Sequence, residues 1–219
     1  MQRIASTSIM AAYLATSALF LLLLLPAPVI AQKSLFLDHA GNVISNNEFV
    51  DIRMANFHYK DATIVNTLAD GSTEFRLQKI PQEGMTAPAF TLKTVDGRTL
   101  SLDALKGKVV VLNFWFIGCA ICRAHKPKLN ELKDRFGEAN GVVFLAMSPD
   151  PRGDIKDYIK KEPFDYLQAG DAQFAMKPFR FSGYPKNIVI NKHGEIVYWR
   201  STITAWDKFE SVIRAELAN

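Results

Sequence analysis

Cysteine is scarce in this chain. Only Cys119 and Cys122 occur among the 219 residues, both within the stretch GCAICRAHKP. With no third cysteine, a disulfide that ties together distant segments is excluded. A bridge between these two residues closes so short a loop that it stabilises the fold by only about 2 kcal/mol in the chain-entropy model. The spacing therefore favours a chemical role for the pair over a structural one.

The chain also has little excess charge of either sign. It carries 26 Lys and Arg against 22 Asp and Glu, a net charge of +4. This excess is too small to indicate a nucleic acid or an anionic membrane surface as a partner, and we expect no nucleic-acid binding. Internal repeats and low-complexity tracts are absent after the first 31 residues. The remaining length suits one domain with an appendage, and nothing in it sets the oligomeric state.

Residues 1–31 are typical of an N-terminal signal peptide. Arg3 is the only charged residue before Lys33, and it precedes a long apolar run. Small or aliphatic residues precede the expected cleavage point after Ala31. The alternative is an uncleaved membrane anchor, since residues 4–25 are long enough to span a bilayer. In both cases we expect an extracytoplasmic location, in the periplasm or cell envelope, where disulfides persist.

Residues 32–80 predict a small β-rich segment. Apolar residues alternate in LFLDHAGNVI and EFRLQKI, as expected for short strands, and HAGN at 39–42 and LADGS at 68–72 are typical turns. The segment carries no motif that we can connect to chemistry, so its role is open.

Residues 81–219 predict an α/β fold. Continuous apolar runs at 108–114 and 142–147 indicate strands that are covered on both faces, with a helical pattern between them. Thr204 and Asp207 have capping-box spacing and predict the start of a final helix. The order of strand, helix, strand, helices, hairpin and helix predicts a central mixed sheet flanked by helices.

The two cysteines fit a dithiol/disulfide cycle. At the start of a helix, the Cys119 sulfur lies near unpaired backbone N–H groups and the positive end of the helix dipole. Both favour a thiolate, so we expect its pKa to fall from about 8.5 into the range of roughly 3.5 to 7.5. Cys122, one turn further on, is within reach of Cys119. Cys119 can therefore attack a disulfide, and Cys122 can resolve the mixed disulfide.

Three segments carry a family resemblance. NFWFIGCAICRAHKPKLNEL is similar to the active-site segment of thioredoxin-fold proteins. APAFTLKTVDGRTLSLDALKGKVVVLNFW and SGYPKNIVINKHGEIVYW resemble the extracytoplasmic TlpA/ResA-like branch of thiol:disulfide oxidoreductases. The resemblance covers about residues 81–219. It implies a thioredoxin-like domain over that range and no cofactor beyond the Cys119–Cys122 disulfide itself, with no metal.

The resemblance also assigns roles to individual positions. Cys119 matches the attacking cysteine and Cys122 the resolving one. Pro185 matches the proline that is cis in this fold and lies beside the active disulfide. The backbone of Tyr184 is then placed to pair with an extended substrate strand. Trp115 ends the Asn-Phe-Trp strand that leads into the cysteines.

Three departures from the family pattern stand out. Gly118 occupies a position where the family often has Trp, so Phe116 would have to supply that aromatic wall. Asn113 stands where thioredoxin has a buried Asp, and its amide cannot accept the proton of Cys122. Ala120 and Ile121, between the cysteines, include no proline or acidic residue, which leaves the redox potential open.

By resemblance, the reaction is the reduction of disulfides in exported proteins, such as apocytochrome c or copper-site assembly proteins. Electrons would come from a thiol carrier in the membrane.

Three alternatives remain. A peroxiredoxin opens with a similar APAFTL segment, but its Pro-x-x-x-Thr-x-x-Cys context is absent from LNFWFIGC, residues 112–119. A copper-binding module could use Cys119 and Cys122 as soft ligands and would want a third, for which His125 is the nearest candidate. The third alternative is a thioredoxin-like interaction domain with an idle disulfide.

Overall fold

The computed structural model describes residues 33–58, 62–137 and 141–219. The strands and helices are, in chain order, β1 Ser34–Leu37, α1 Asn46–Ala55, β2 Thr63–Thr67, β3 Thr73–Leu77, β4 Thr91–Lys93, β5 Thr99–Ser101, β6 Val109–Phe114, α2 Ala120–Asp134, β7 Val142–Met147, α3 Arg152–Lys161, β8 Leu167–Ala169, α4 Gln173–Met176, β9 Lys186–Ile190, β10 Ile196–Arg200 and α5 Trp206–Ala218. Single 3-10 turns lie at Asp103–Leu105 and Lys177–Phe179.

The largest sheet is the predicted central mixed sheet. Its five strands have the order β10-β9-β6-β7-β8. β6 pairs with β7, and β7 with β8, in parallel, whereas β9 is antiparallel to both β6 and β10. β6 is buried at all six positions, as its continuous apolar run predicted. β8 is a short strand that the sequence pattern did not predict.

Two hydrophobic clusters cover the two faces of this sheet. One contains Leu112, Phe114 and Ile188 and extends to residues of α1 and β3. The other contains Val111 and Trp115 together with both cysteines, and the apolar faces of α2 and α5 complete it. Alternation along β6 sends successive side chains to opposite clusters. The disulfide therefore lies on the α2 and α5 face of the sheet.

The N-terminal segment contains the expected small sheet and also a helix. β1 is parallel to β3, and β2 is antiparallel to β3, in the order β1-β3-β2. The expectation of strands alone was wrong for residues 46–55, which form α1. The Ser45 hydroxyl accepts the Glu48 N–H at 3.1 Å and so caps this helix. Burial of Ile52 and Ala55 against the main core then stabilises it.

The start of α5 also differs from its prediction. Thr204 and Asp207 do not form a capping box, because the helix begins at Trp206 after an Ala205 N-cap that makes no side-chain capping bond. The buried carboxylate of Asp51 in α1 binds the backbone at the start of α5 instead. It accepts the Thr204 N–H at 2.8 Å, the Thr204 hydroxyl at 2.9 Å and the Ala205 N–H at 2.9 Å. α1 is thus joined to the main unit at the N-terminus of α5.

The predicted signal peptide or anchor, residues 1–31, lies outside the described residues. No helix in the described part of the chain is long and apolar enough to cross a bilayer. The boundary that the sequence places at residue 81 stays a prediction.

Candidate active site

Cys119 and Cys122 form a disulfide at the start of α2, with their Cα atoms 5.2 Å apart. Cys119 is the N-cap residue, and its Sγ accepts the Cys122 N–H at 3.1 Å. This position arises because β6 ends at Phe114 and a short turn carries the chain over the sheet edge into the helix. Both cysteines are buried in this oxidised state, so Cys119 is not markedly more accessible than Cys122.

Asp150 holds the turn in front of the cysteines, and sequence reasoning missed it. Its Oδ2 accepts the Ile117 N–H at 2.7 Å and the Ser148 hydroxyl at 2.8 Å. β6 and β7 are parallel, so the residues that follow each strand meet at one edge of the sheet. The available signal was an acidic residue three positions after the end of a buried parallel strand, which ends at Met147. Burial raises the pKa of Tyr184, and the negative charge of Asp150 adds to this increase.

An aromatic row connects the cysteine turn to the proline loop. The Phe116 ring lies 5.2 Å from the Tyr184 ring, and Tyr184 lies 5.2 Å from Phe181. The Tyr184–Pro185 peptide bond is cis. A Cβ on Gly118 would lie 3.2 Å from a ring carbon of Phe116. The Phe116 ring therefore lies beside Gly118, in the position where the sequence analysis expected it to replace the missing Trp.

Asn113 belongs to a buried amide chain under the cysteine helix. Its Nδ2 donates to Asn187 Oδ1 at 2.8 Å, and Asn187 Nδ2 donates to the Ser201 carbonyl at 3.1 Å. The two asparagines face each other across β6 and β9. A neutral amide suits this pairing, because an amide can both donate and accept: Asn113 donates, and Asn187 accepts and then donates in turn. The chain ties three segments together beneath the site.

The positive residues that follow Cys122 bind Glu162. Arg123 contacts it at 2.7 Å, and the buried amine of Lys126 contacts it at 3.2 Å. The Tyr158 hydroxyl donates to Glu162 at 2.6 Å, and this bond, with those from Lys126 and Arg123, lowers the Glu162 pKa to about 2. Burial lowers the pKa of Lys126. Arg123 and Lys126 of α2 therefore form ion pairs with Glu162, the residue that follows the end of α3.

Trp115 is fully buried next to this cluster. Its ring packs against Tyr158 at 5.6 Å and against Phe164 at 5.8 Å, and the Lys126 amine lies 5.5 Å from its centre. The structure therefore gives Trp115 a packing position behind the cysteines and no open face.

His125 packs edge-on against Trp206, with ring centres 5.8 Å apart. Burial lowers its pKa, and the nearby Asp51 opposes that change. Across residues 33–58, 62–137 and 141–219, no three His, Cys, Asp or Glu side chains group closely enough to hold a metal ion.

Comparison with known proteins agrees with this geometry. Residues 84–199, more than half of the chain, match the AhpC/TSA family. The thiol-disulfide oxidoreductase ResA of Bacillus thuringiensis is 30% identical over 118 residues, which are 53% of this chain and 68% of that protein. The thioredoxin-like protein YneN of Bacillus subtilis is 27% identical over 117 residues, 52% of this chain and 69% of that protein.

Solved structures show the same fold. The thioredoxin domain of a Bacteroides vulgatus thiol-disulfide oxidoreductase superposes with a TM-score of 0.54 at 27% identity, covering 60% of this chain and 97% of that one. A thiol:disulfide interchange protein from Bacteroides sp. gives 0.53 at 27% identity, covering 60% and 90%. With its disulfide at the start of α2 and its cis proline ahead of β9, the chain belongs to the AhpC/TSA family and is a TlpA/ResA-like thiol-disulfide oxidoreductase of thioredoxin fold.

Proposed function

We propose that this protein is exported and reduces disulfides of exported proteins through Cys119 and Cys122. The supporting observation is the disulfide at the N-terminus of α2, where the Cys119 sulfur accepts the Cys122 N–H. In the reduced protein the same N–H favours the Cys119 thiolate, because a hydrogen bond to the charged form stabilises it.

The exchange proceeds in two substitutions at sulfur. The Cys119 thiolate attacks one sulfur of the substrate disulfide, which forms a mixed disulfide and releases the other substrate sulfur as a thiolate. Cys122 then loses its thiol proton to water or to the released substrate thiolate, and the resulting thiolate attacks Cys119 Sγ, forms the Cys119–Cys122 disulfide and releases the second substrate sulfur. Two electrons pass from the dithiol to the substrate, and both released thiolates take up protons.

Tyr184 and Phe116 flank the path by which the substrate reaches Cys119. Their rings lie 5.2 Å apart beside the cis Pro185. The backbone of Tyr184 pairs with the substrate segment by strand addition, which orients its disulfide toward Cys119.

A membrane thiol carrier regenerates the reduced pair, because an extracytoplasmic compartment supplies no soluble reductant. By the family resemblance, apocytochromes c and copper-site assembly proteins are the candidate substrates. Export depends on residues 1–31, acting as a cleaved signal or as an anchor.

Trapping of the mixed disulfide tests the proposed roles. With a disulfide-bonded model protein, we expect Cys122→Ser to accumulate an adduct that a reducing gel releases, and Cys119→Ser to give neither adduct nor turnover. Asn130→Ala, on the same helix but remote from the cysteines in sequence, is the control and should turn over normally. Normal turnover by Cys119→Ser would contradict the mechanism.

Peroxide reduction is the closest competing reaction, and the site argues against it. The proline and threonine of a peroxidatic motif would fall at Leu112 and Phe116, where Leu112 is buried in β6 and Phe116 contacts Tyr184. Neither side chain offers a hydroxyl to a peroxide. We expect hydrogen peroxide consumption at the uncatalysed rate. Cys119-dependent peroxide consumption faster than disulfide exchange would reverse this assignment.

A further inference from the structure

β2 is an open edge strand of the N-terminal sheet. In the order β1-β3-β2, it pairs with β3 on one side and, among the residues that the structure describes, with no strand on the other. Four of its five residues are exposed, and its sequence TIVNT contains neither a charged residue nor a proline. Charges and prolines are the residues with which proteins commonly prevent an edge strand from pairing with another chain. β2 is therefore open to such pairing.

The backbone of β2 offers hydrogen-bonding groups at this edge. On the β3 side, the Leu68 N–H donates to the Ser72 carbonyl at 2.9 Å, and the Gln78 N–H donates to the Ala62 carbonyl at 3.0 Å. In an antiparallel pair, successive residues of a strand direct their N–H and C=O groups to opposite sides. The even-numbered residues of β2 therefore bond to β3. Three residues direct their N–H and C=O groups toward the open edge: Thr63, Val65 and Thr67.

A row of apolar side chains on one face of the sheet ends at this edge. Phe36 of β1 lies opposite Phe75 of β3, and Phe75 lies opposite Val65 of β2, so the three side chains share a face. Phe49 of α1 packs on the two phenylalanines, with its ring centre 4.7 Å from Phe36 and 6.0 Å from Phe75. Val65 is 57% exposed. The row thus ends in an exposed apolar side chain beside outward backbone groups.

We propose that two copies of this protein pair through β2, antiparallel about a two-fold axis at Val65. Val65 then lies opposite Val65 of the second copy. On either side of the axis, Thr63 of one copy lies opposite Thr67 of the other. These pairs use the residues whose backbone groups point outward, so the two residues of each pair exchange both of their N–H···O=C bonds. The apolar row continues across the axis to Phe75 of the second copy.

A second copy matches this edge because β2 is compatible with its own sequence in that register. Val–Val and Thr–Thr pairs are favourable in antiparallel sheets, Ile64 lies opposite Asn66 of the second copy, and the strand brings no like charges together. Pairing also covers an apolar edge that would otherwise promote aggregation. Five residues per copy form a small interface, so we expect a weak dimer with a dissociation constant on the order of 100 µM.

Sedimentation equilibrium of the protein between about 10 µM and about 1 mM tests the proposal. The mass should rise with concentration from that of one chain toward that of two. Val65→Lys places like charges opposite each other at the axis, so it should weaken dimerisation about tenfold or more, and Val65→Glu should do the same. An equimolar mixture of the two variants should dimerise again, since opposite charges then meet at the axis. Misfolding of either variant would not produce this recovery.

A matched control lies at the other edge of the same sheet. Val43 is 71% exposed and forms a bridge with Leu37 of β1, the opposite edge strand. Val43→Lys should dimerise as wild type does. A dimer that survives Val65→Lys, or that is lost equally in Val43→Lys, would overturn the proposal, and so would a mixture of the two Val65 variants that stays monomeric.

A monomeric wild type would also overturn it. If the protein keeps the mass of one chain up to about 1 mM, β2 does not pair with a second copy. Binding of an extended peptide to β2 in such a monomer would assign the edge to a different partner. Disulfide exchange by Cys119 and Cys122 is measured separately, so neither result bears on the proposed function.

Discussion

The central sheet and the N-terminal sheet differ in how far their strands are buried. All six residues of β6 are buried, whereas four of the five residues of β2 are exposed. The N-terminal sheet has its own small aromatic cluster, in which Phe36 lies 4.7 Å from Phe49 and 5.5 Å from Phe75. The larger core lies under the central sheet, and that sheet also presents the cysteines.

The two sheets therefore have different structural roles. The central sheet fixes the positions of the reacting sulfurs, and the N-terminal segment is joined to it where Asp51 of α1 binds the start of α5. Changes in the central sheet should therefore alter global stability most. Changes at the junction should have intermediate effects, and changes of exposed residues on the N-terminal surface should have small effects on stability.

Leu112→Ala should show the largest loss. Leu112 is fully buried in β6, so its truncation removes apolar contacts and leaves a cavity, at a cost of about 3 kcal/mol in the free energy of unfolding. Val65→Ala in β2 should cost less than about 0.5 kcal/mol, because the side chain is exposed. Urea unfolding of both oxidised variants measures the contrast, and equal losses would remove the distinction between the sheets.

Asp51→Ala should have an intermediate effect. Its carboxylate accepts two backbone N–H groups at the start of α5 and the Thr204 hydroxyl, and loss of such a cap costs about 2 kcal/mol. The control is Glu48→Ala, which removes only a 3.3 Å ion pair with Lys208. Guanidinium unfolding should separate the two variants by more than about 1 kcal/mol. An Asp51→Ala protein as stable as Glu48→Ala would show that α1 is held by its apolar face alone.

Lys186→Met, although it lies in the central sheet, should change stability less than Asp51→Ala, and it should stabilise. Lys186 is a buried cation in the central sheet, where its amine donates to the Ser201 hydroxyl at 2.7 Å. Burial lowers its pKa to about 8. The free-energy cost of burying the charged amine is therefore present in full below about pH 8. It decreases as pH rises from about 8 toward 10.5, where the amine loses its proton in the unfolded chain as well.

Replacement by Met removes that cost and also the bond to Ser201, so we expect a net gain of about 1 kcal/mol at pH 7. The advantage over wild type should shrink at pH 10. Unfolding of both proteins at the two pH values provides the check, and an advantage that grows with pH would contradict the buried-cation account.

The central fold could be predicted because its signals are local. β6 and β7 are continuous apolar runs, and the cysteines follow β6 within a few residues. α1 was missed although its signal was present: Ser45 and Glu48 have the capping spacing, and Phe49, Ile52 and Ala55 recur at helical intervals. Alternation over the flanking strands had suggested a wholly β segment.

Other features depended on distant contacts. Thr204 and Asp207 had the right spacing for a capping box, but Asp51 reaches the helix start from 153 residues away and replaces it. Asp150 binds the turn before Cys119 from 33 residues away in the sequence. Glu162 similarly pairs with Arg123 and Lys126 from 39 and 36 residues away in the sequence. Spacing alone cannot identify partners that only the tertiary fold brings together.

The reduction potential of the Cys119–Cys122 pair tests the account most directly. The protein would be equilibrated with thiol buffers of known potential, and its free thiols alkylated and counted. If the protein is a dedicated reductase, we expect a single two-electron transition near the potential of thioredoxin, roughly −270 mV. A value near that of DsbA, roughly −120 mV, would contradict the reducing direction, and a pair that never exchanges would contradict the catalytic role itself.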